Sequence, residues 1–252
     1  MKITFLGGTS HGIPVIACPC EVCASLDEKD KRSRSAIMLE VDGQTIVVDT
    51  GPDFRTQMLR EHVKHLDAVV FTHEHKDHTA GLDDIRAFNF FQSQAIDMYA
   101  TQRVQENIRK GFDYIFSDTK YPGIPEINFK TIENKPFTVG PTAFTPIEVM
   151  HHKLPVFGYR IGDFVYITDA NYIAEKEREK IKGAKVLVLN ALRIGKHISH
   201  FSLEEALEMA AILDIETTYF THISHQLGKH AEVSPTLPQG VHLAYDGLKL
   251  EM

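Results

Sequence analysis

Six consecutive residues, His73-Glu74-His75-Lys76-Asp77-His78, crowd three imidazoles and a carboxylate into one short segment. Imidazole nitrogen and carboxylate oxygen suit divalent ions of the zinc, iron and manganese kind. A pair of such ions can share a water, lower its pKa toward neutrality and hold the resulting hydroxide in line with an electrophilic phosphorus, so metal-assisted hydrolysis is the chemistry this cluster suits. Taken singly, each of these histidines reads as a solvated polar side chain. Four donors crowded directly behind an apolar run point to a metal site instead.

A second group of donors lies near the start. All three cysteines, Cys18, Cys20 and Cys23, fall in CPCEVC, with the spacing Cys-x-Cys-x-x-Cys. Thiols so close and odd in number make a poor disulfide framework but can wrap one zinc, leaving a tetrahedral site one ligand short. The fourth ligand must come from a distant segment; a redox pair or buried free thiols are the other readings. The loop Gly7-Gly8-Thr9-Ser10-His11-Gly12 lacks the lysine and helix spacing of a phosphate-binding loop. It reads as a turn, with His11 unassigned.

The elements that must hold these donors follow from the hydrophobic pattern. Leu66–Thr72 is a buried-strand run that ends at His73, and an amphipathic stretch follows from Thr79 to Phe91. Upstream, KITFL, AIMLEV and TIVVDT read as strands, the last two joined at Asp42-Gly43, a dipeptide suited to a tight hairpin turn, and Phe54–Val63 reads as a helix. A strand at Asp97–Ala100 and a helix at Thr101–Phe116 lead into SDTKYPGIP, a surface excursion at Ser117–Pro125. Ile127–Ile132, Ala143–Met150, Gly158–Ile161, Phe164–Thr168, Lys185–Leu189, Thr217–Thr221 and Val241–Tyr245 read as strands, with Gly162-Asp163 as a turn. Ser202-Leu203-Glu204-Glu205 is a capping box that opens a helix running through Leu213. Two halves with the same grammar of strands then helices predict an α/β fold of two β-sheets packed face to face with helices outside.

Bulk properties set the outer bounds. At 252 residues with 43% hydrophobic content, residues 1–252 are expected to form one domain. The net charge of −7 and pI of 6.0 provide no field to attract a long polyanion such as tRNA or duplex DNA, and leave room for a small charged substrate in a local pocket. The apolar start MKITFL is too short for a secretory signal, and no later run approaches the roughly 18 apolar residues of a membrane span. The expectation is a soluble, cytoplasmic protein with no membrane contact, for which a homodimer is left open.

HEHKDH has the form HxHxDH. With Asp49 in VVDTG before it, and His151, Asp169 in YITDA and His222 in YFTHISH after it, essentially the whole chain resembles the metallo-β-lactamase superfamily. The resemblance implies a four-layer αββα fold with two mixed β-sheets and an active site of two divalent ions, zinc or manganese. His73 and His75 resemble the family's first metal site, completed by His151. Asp77 and His78 resemble the start of the second, completed by His222, and Asp169 matches the carboxylate that bridges both ions. His152 adjoins His151 and is the other candidate for that ligand; His-x-Lys followed by Phe-Gly-Tyr favours His151. β-Lactamases of the superfamily often carry a cysteine at the second site, and here no cysteine lies beyond Cys23, so the site resembles the phosphodiesterase and thioesterase branches instead. Asp49 is expected to accept a hydrogen bond from a liganding imidazole and fix its tautomer.

CxCxxC, HxHxDH, His-x-Lys, THISHQ and a C-terminal Asp-Gly together resemble the 5-phosphoribosyl 1,2-cyclic phosphate phosphodiesterase (PhnP-like) branch. This implies His225 as the fourth ligand of a structural zinc on Cys18, Cys20 and Cys23, and a small, cyclic phosphodiester as substrate. It also implies His200, just before the capped helix, as the acid that protonates the leaving alkoxide, with His197 as its local rival. Arg193 is a candidate grip for a non-reacting phosphate, because guanidinium binds phosphate bidentately; Lys153 and Lys196 are weaker options. The rival enzyme is a tRNA 3′-processing endonuclease, against which the acidic charge and the absence of an obvious long, basic, glycine-rich insertion both argue. A glyoxalase II-like thioesterase and a non-catalytic metal-binding module rank below it.

Overall fold

Ile37 and Leu39 in AIMLEV face one core, Ala36 and Met38 face another, and all four are buried. A strand apolar on both faces must lie between two covering layers. The computed structural model, which describes residues 1–117 and 122–252, shows what those layers are. Residues 118–121 of the SDTKYPGIP excursion lie outside the described residues.

One sheet is built from β1 (Lys2–Gly7), β2 (Ala36–Val41), β3 (Gln44–Val48), β4 (Ala68–Val70), β5 (Ile96–Ala100), β6 (Ile127–Thr131) and, from the far end of the chain, β15 (Lys249–Glu251), in the order β15-β1-β2-β3-β4-β5-β6. The other contains β7 (Phe137–Val139), β8 (Thr142–His151), β9 (Leu154–Ile161), β10 (Phe164–Tyr166), β11 (Tyr172–Ile173), β12 (Val186–Asn190), β13 (Thr217–Thr221) and β14 (Val241–Leu243), ordered β11-β8-β9-β10-β12-β13-β14 with β7 beside β8. Both sheets are mixed. β3 to β6 run parallel, as do β10, β12, β13 and β14, while the hairpins β2-β3 and β8-β9 are antiparallel.

Three cores separate the layers. Ile3, Phe5, Ile46 and Val70 of the first sheet meet Phe144, Tyr159, Phe164 and Tyr166 of the second between the sheets. The outer face of the first sheet packs against α1 (Phe54–Arg60), α3 (Arg86–Gln92) and α4 (Gln102–Gly111) through Phe54, Met58, Phe88, Val104 and Ile108. The outer face of the second packs against α6 (Leu203–Leu213) through Ala206, Met209 and Leu213. The predicted four-layer αββα order is what forms. Among the described residues, no helix is long and apolar enough to cross a membrane.

Several elements differ from the sequence reading in ways that matter for the site. The Leu66–Thr72 run is strand only at Ala68–Val70. Beyond it the chain leaves for the second sheet: the Phe157 amide donates to Thr72 O at 3.1 Å and the Tyr159 hydroxyl to Phe71 O at 2.6 Å, joining the sheets beside the motif. The stretch from Thr79 to Phe91 is divided into α2 (Lys76–Thr79), a 3-10 turn at Leu82–Ile85, and α3. The break falls at Gly81, where a Cβ would stand 2.1 Å from Gly51 O. Its apolar face survives the break, since Leu82, Ile85 and Phe88 are all buried. The helix predicted over 101–116 ends at Gly111, and β9 begins at Leu154 instead of Gly158. The short pieces β7, β11 and β15 lacked enough residues for a legible alternation. The capping box forms as predicted: Glu205 N donates to Ser202 Oγ and Ser202 N to Glu205 Oε2.

Candidate metal centre

The donors gather where strands end. Asp49 follows β3, His73 lies beyond β4, His151 is the last residue of β8, Asp169 lies beyond β10 and His222 follows β13. Asp49, Asp169 and His222 all adopt left-handed backbone angles, with φ of 68°, 58° and 54°. Such conformations cost a non-glycine residue roughly 1–2 kcal/mol each and persist only where the surroundings hold them. Here each strand turns sharply and presents its next side chain inward.

Asp169 is the hub. His78 Nε2 lies 3.2 Å, His222 Nε2 3.3 Å, His200 Nε2 3.1 Å and His73 Nε2 4.0 Å from its carboxylate. Asp77 Oδ2 is 3.5 Å from His78 Nε2, so Asp77, His78, Asp169 and His222 form one compact donor group. His73, His75 and His151 form an adjoining trio, with ring centroids 4.6 Å (His73–His75), 5.1 Å (His75–His151) and 5.8 Å (His73–His151) apart. His151 is buried and faces this group, while its neighbour His152 is exposed in the β8-β9 turn at φ 57°. The chain reverses at His152, and that turn separates the two candidates.

These imidazoles are prepared to bind metal. Each Nδ1 is occupied: His78 pairs with Asp49 at 2.7 Å, His73 with Thr72 Oγ1 at 3.0 Å, His151 with Ser199 O at 2.8 Å, and His222 with Ser35 Oγ at 2.9 Å. Yet the inward Nε2 atoms of His73, His78 and His222 are buried without an aligned hydrogen-bond partner, although all three face the Asp169 carboxylate. Buried polar atoms are rarely left so, and an Nδ1 hydrogen bond is what aims a lone pair at Nε2. The donor set fits zinc or manganese. Burial holds His73 well below the usual imidazole range, lowers His151, and pushes His222 down to about 3 against the opposing pull of Asp169, which favours the neutral form that a metal would need. Burial also opposes the charged form of His78, but Asp169, Asp49 and Asp77 outweigh it and raise this residue well above the usual range.

His200 differs from the other three. Its Nε2 is hydrogen-bonded to Asp169 Oδ1, and its Nδ1 is 3.1 Å from both Ser199 Oγ and His197 Nδ1. It stands at the centre with both nitrogens engaged, although its position beside His151 and Asp169 also makes a three-donor group. Arg193 has its guanidinium occupied by Gly195 O, Lys196 O and Gln226 Oε1 at 3.1, 2.6 and 3.0 Å.

The second cluster assembles across more than two hundred residues of sequence. The Sγ atoms of Cys18, Cys20 and Cys23 lie 3.2, 3.3 and 3.6 Å from His225 Nδ1. Ligands of a tetrahedral zinc at ordinary bond lengths are ~3.5 Å apart, so the group fits the ion. The Cys23 amide, and then His225, draw the Cys20 thiol down to about 6, while burial pushes Cys23 up to about 11.

The partners of these imidazoles were not visible in the sequence. Thr72, Ser35, Thr168 and Ser199 each contact one of the clustered imidazoles, and Asn190 accepts from Ala170 N and donates to Ala170 O beside Asp169. Hydroxyls adjoining His73 and Asp169 were the one available signal; Ser35 and Asn190 had none.

Residues 44–223 match a family model described as beta-lactamase superfamily domain. A protein named octanoyltransferase from Porphyromonas gingivalis is 38% identical over 253 residues, which take in 99% of this chain and 51% of that protein. A ribonuclease Z from Nostoc sp. is 28% identical over 173 residues, 65% of this chain and 47% of its own length. The chain thus spans about half the length of the curated relatives it matches. Among solved structures, a diphosphatase from the PhnP family superposes with a TM-score of 0.93 at 38% identity, covering 100% of this chain and 97% of the other. Zinc-bound PqqB from Methylobacterium extorquens shares the fold, with a TM-score of 0.83 at 19% identity and full coverage of both chains.

Proposed function

Because the chain belongs to the metallo-β-lactamase superfamily and to its PhnP-like branch, a hydrolase family, we propose that it is a dinuclear metal-dependent phosphodiesterase acting on a small phosphodiester, of which a cyclic one fits the resemblance best. The observation that carries this reading is the convergence on Asp169 of three buried imidazole nitrogens without an aligned hydrogen-bond partner, those of His73, His78 and His222.

His73, His75 and His151 would hold one divalent ion, Asp77, His78 and His222 the other, and Asp169 both. Bound there, the ions would supply an activated water and offset the charge on the phosphoryl oxygens. Hydrolysis breaks one P–O bond and adds the elements of water, leaving a phosphomonoester and an alcohol. The leaving oxygen takes its proton from His200, which is assigned to this step because it stands beside Asp169 outside the two proposed ligand sets and lines an open cavity. Asp49 orients His78. Cys18, Cys20, Cys23 and His225 would hold a structural zinc that ties the N-terminal loop to the turn after β13.

The diphosphatase of the same branch, 38% identical, favours phosphoanhydride hydrolysis as a second reading, since the same donors would serve it. The ribonuclease Z relatives keep a nucleic-acid substrate in view, and the net charge of −7 weighs against it. The octanoyltransferase name belongs to a protein of which this chain matches 51%, and it assigns no activity to this half. The deciding experiment assays metal-reconstituted protein on bis-nitrophenyl phosphate, cyclic nucleotides, phosphoribosyl cyclic phosphate, a diphosphate ester and a precursor tRNA. Turnover of the small diesters is expected; activity on the tRNA alone would overturn the reading.

A further inference from the structure

β12 ends at Asn190, a fully buried residue on the strand between β10 and β13. Its side chain is matched to one residue of the neighbouring turn: Oδ1 accepts from Ala170 N at 2.7 Å, and Nδ2 donates to Ala170 O at 2.9 Å. Ala170 directly follows Asp169. The same carbonyl, Ala170 O, also accepts at 2.8 Å from Phe201 N, the amide that follows His200. Asp169 and His200 are 31 residues apart in the chain, yet both are tied to the one carbonyl that Asn190 holds.

The two residues after Asn190 continue the pattern. Ala191 N donates at 3.0 Å to Thr221 O, the carbonyl before His222, and Leu192 N donates to Phe201 O at 2.9 Å. Those links use backbone atoms and tolerate many residue types. The link from Asn190 does not, because an amide side chain carries both the acceptor and the donor that Ala170 requires. A carboxylate lacks the donor, and an apolar chain lacks both. The turn needs this hold, since the φ of 58° at Asp169 is strained for a residue with a Cβ. Thr168 Oγ1, 2.6 Å from Asp169 Oδ2, steadies the carboxylate, whereas Asn190 steadies the backbone that carries it.

We infer that Asn190 is a positioning residue for the reaction: by clamping Ala170 on both sides it holds Asp169 where two ions can share it, and it sets the spacing of Asp169 and His200. The Oδ1 and Nε2 atoms of that pair are 3.1 Å apart. The inference rests on the dinuclear reading above. Both polar ends of the Asn190 side chain are engaged by Ala170, so it acts through that residue and not on the substrate. A role in folding alone would make its loss a loss of stability. A positioning role adds a change in how the two ions are coupled and in how the leaving oxygen is protonated.

The test uses Asn190→Asp, which keeps the size and the acceptor but removes the donor, and Asn190→Leu, which removes both. Thr142→Val is the control, since it deletes a buried hydrogen bond to Asp42 at the far ends of the strands from the metal centre. Each protein is loaded with manganese and its electron paramagnetic resonance spectrum recorded, because manganese ions that share a carboxylate are exchange-coupled and isolated ones are not. Wild type and Thr142→Val are expected to show the coupled signal, and the Asn190 variants the uncoupled one. Turnover of alkyl phosphodiesters should fall roughly 10- to 100-fold in the Asn190 variants and that of nitrophenyl esters less, whereas the control keeps the wild-type ratio. A coupled signal together with a wild-type ester ratio in either folded Asn190 variant would overturn the inference. So would failure of both variants to fold beside a folded control, which would make Asn190 a residue of the core alone. An uncoupled signal in wild type with both ions bound would sink the dinuclear reading itself, which separates the two failures.

Discussion

Asp49 grips the HEHKDH segment at both ends: its Oδ2 lies 2.7 Å from His78 Nδ1, and Thr72, immediately before the motif, donates to it through both its amide and its hydroxyl at 2.8 Å. All these groups are buried. Asp49→Asn keeps the shape but removes the charge that pairs with His78, so metal affinity should fall roughly 10- to 100-fold, read by competition with a chelator. Unchanged affinity would remove Asp49 from the assembly of the site.

His200→Ala should retain both ions and lose turnover by roughly 10²- to 10⁴-fold, most severely for alkyl esters, whose leaving oxygens need a proton most. Metal content and a leaving-group series measure this together. A variant that cleaves alkyl and nitrophenyl esters with the wild-type ratio would refute the role, and loss of an ion would make His200 a ligand.

Cys20→Ser should cost one tightly held zinc and lower the melting temperature, because a structural ion contributes its binding energy to folding. The loop from Ile13 to Cys23 should open to proteolysis. Zinc analysis that shows no loss would count against the cluster being a metal site.

Gly51→Ala would set a Cβ 2.2 Å from Asp77 O, a clash with backbone that no side-chain rotation relieves. Destabilisation of about 1–3 kcal/mol is expected from such overpacking, with weakened metal binding because Asp77 must move. Chemical denaturation and metal titration would show the two effects in the same variant; wild-type values in both would contradict the close packing of these loops.

Glu177 anchors α5 (Glu175–Arg178) to β8 by accepting from Glu148 N at 2.9 Å and Asn134 Nδ2 at 3.0 Å, with Lys180 Nζ at 2.7 Å. Burial opposes its charge, but these three partners prevail and hold its pKa below the ordinary 4.5. A depressed carboxylate pKa contributes stability above the unfolded-state value that is lost as the pH falls through the folded one. Glu177→Gln should therefore cost about 1–3 kcal/mol at neutral pH, and the difference from wild type should shrink below pH 4.5. A difference independent of pH would argue against the charge.

Much of the architecture could be read from local pattern. The strand AIMLEV, the hairpin at Asp42-Gly43 and the capping box at Ser202 depend on neighbours in the chain, and they form where expected. The amphipathic stretch after the motif kept its buried face but not its continuity, because the close approach of Gly81 to Gly51 is a contact between loops thirty residues apart.

The kinds of donor and the strand behind them are properties of the chain itself, since a side chain's chemistry and the alternation of a strand need no partner. Which donors meet is another matter. That His151 faces the centre and His152 the solvent, that His225 closes on Cys18, Cys20 and Cys23, and that Arg193 reaches Gln226 all depend on register and packing between distant segments. The HEHKDH motif supplies the donors, but the left-handed turns at Asp49, Asp169 and His222 bring the distant ones to it, and two packed sheets hold those conformations.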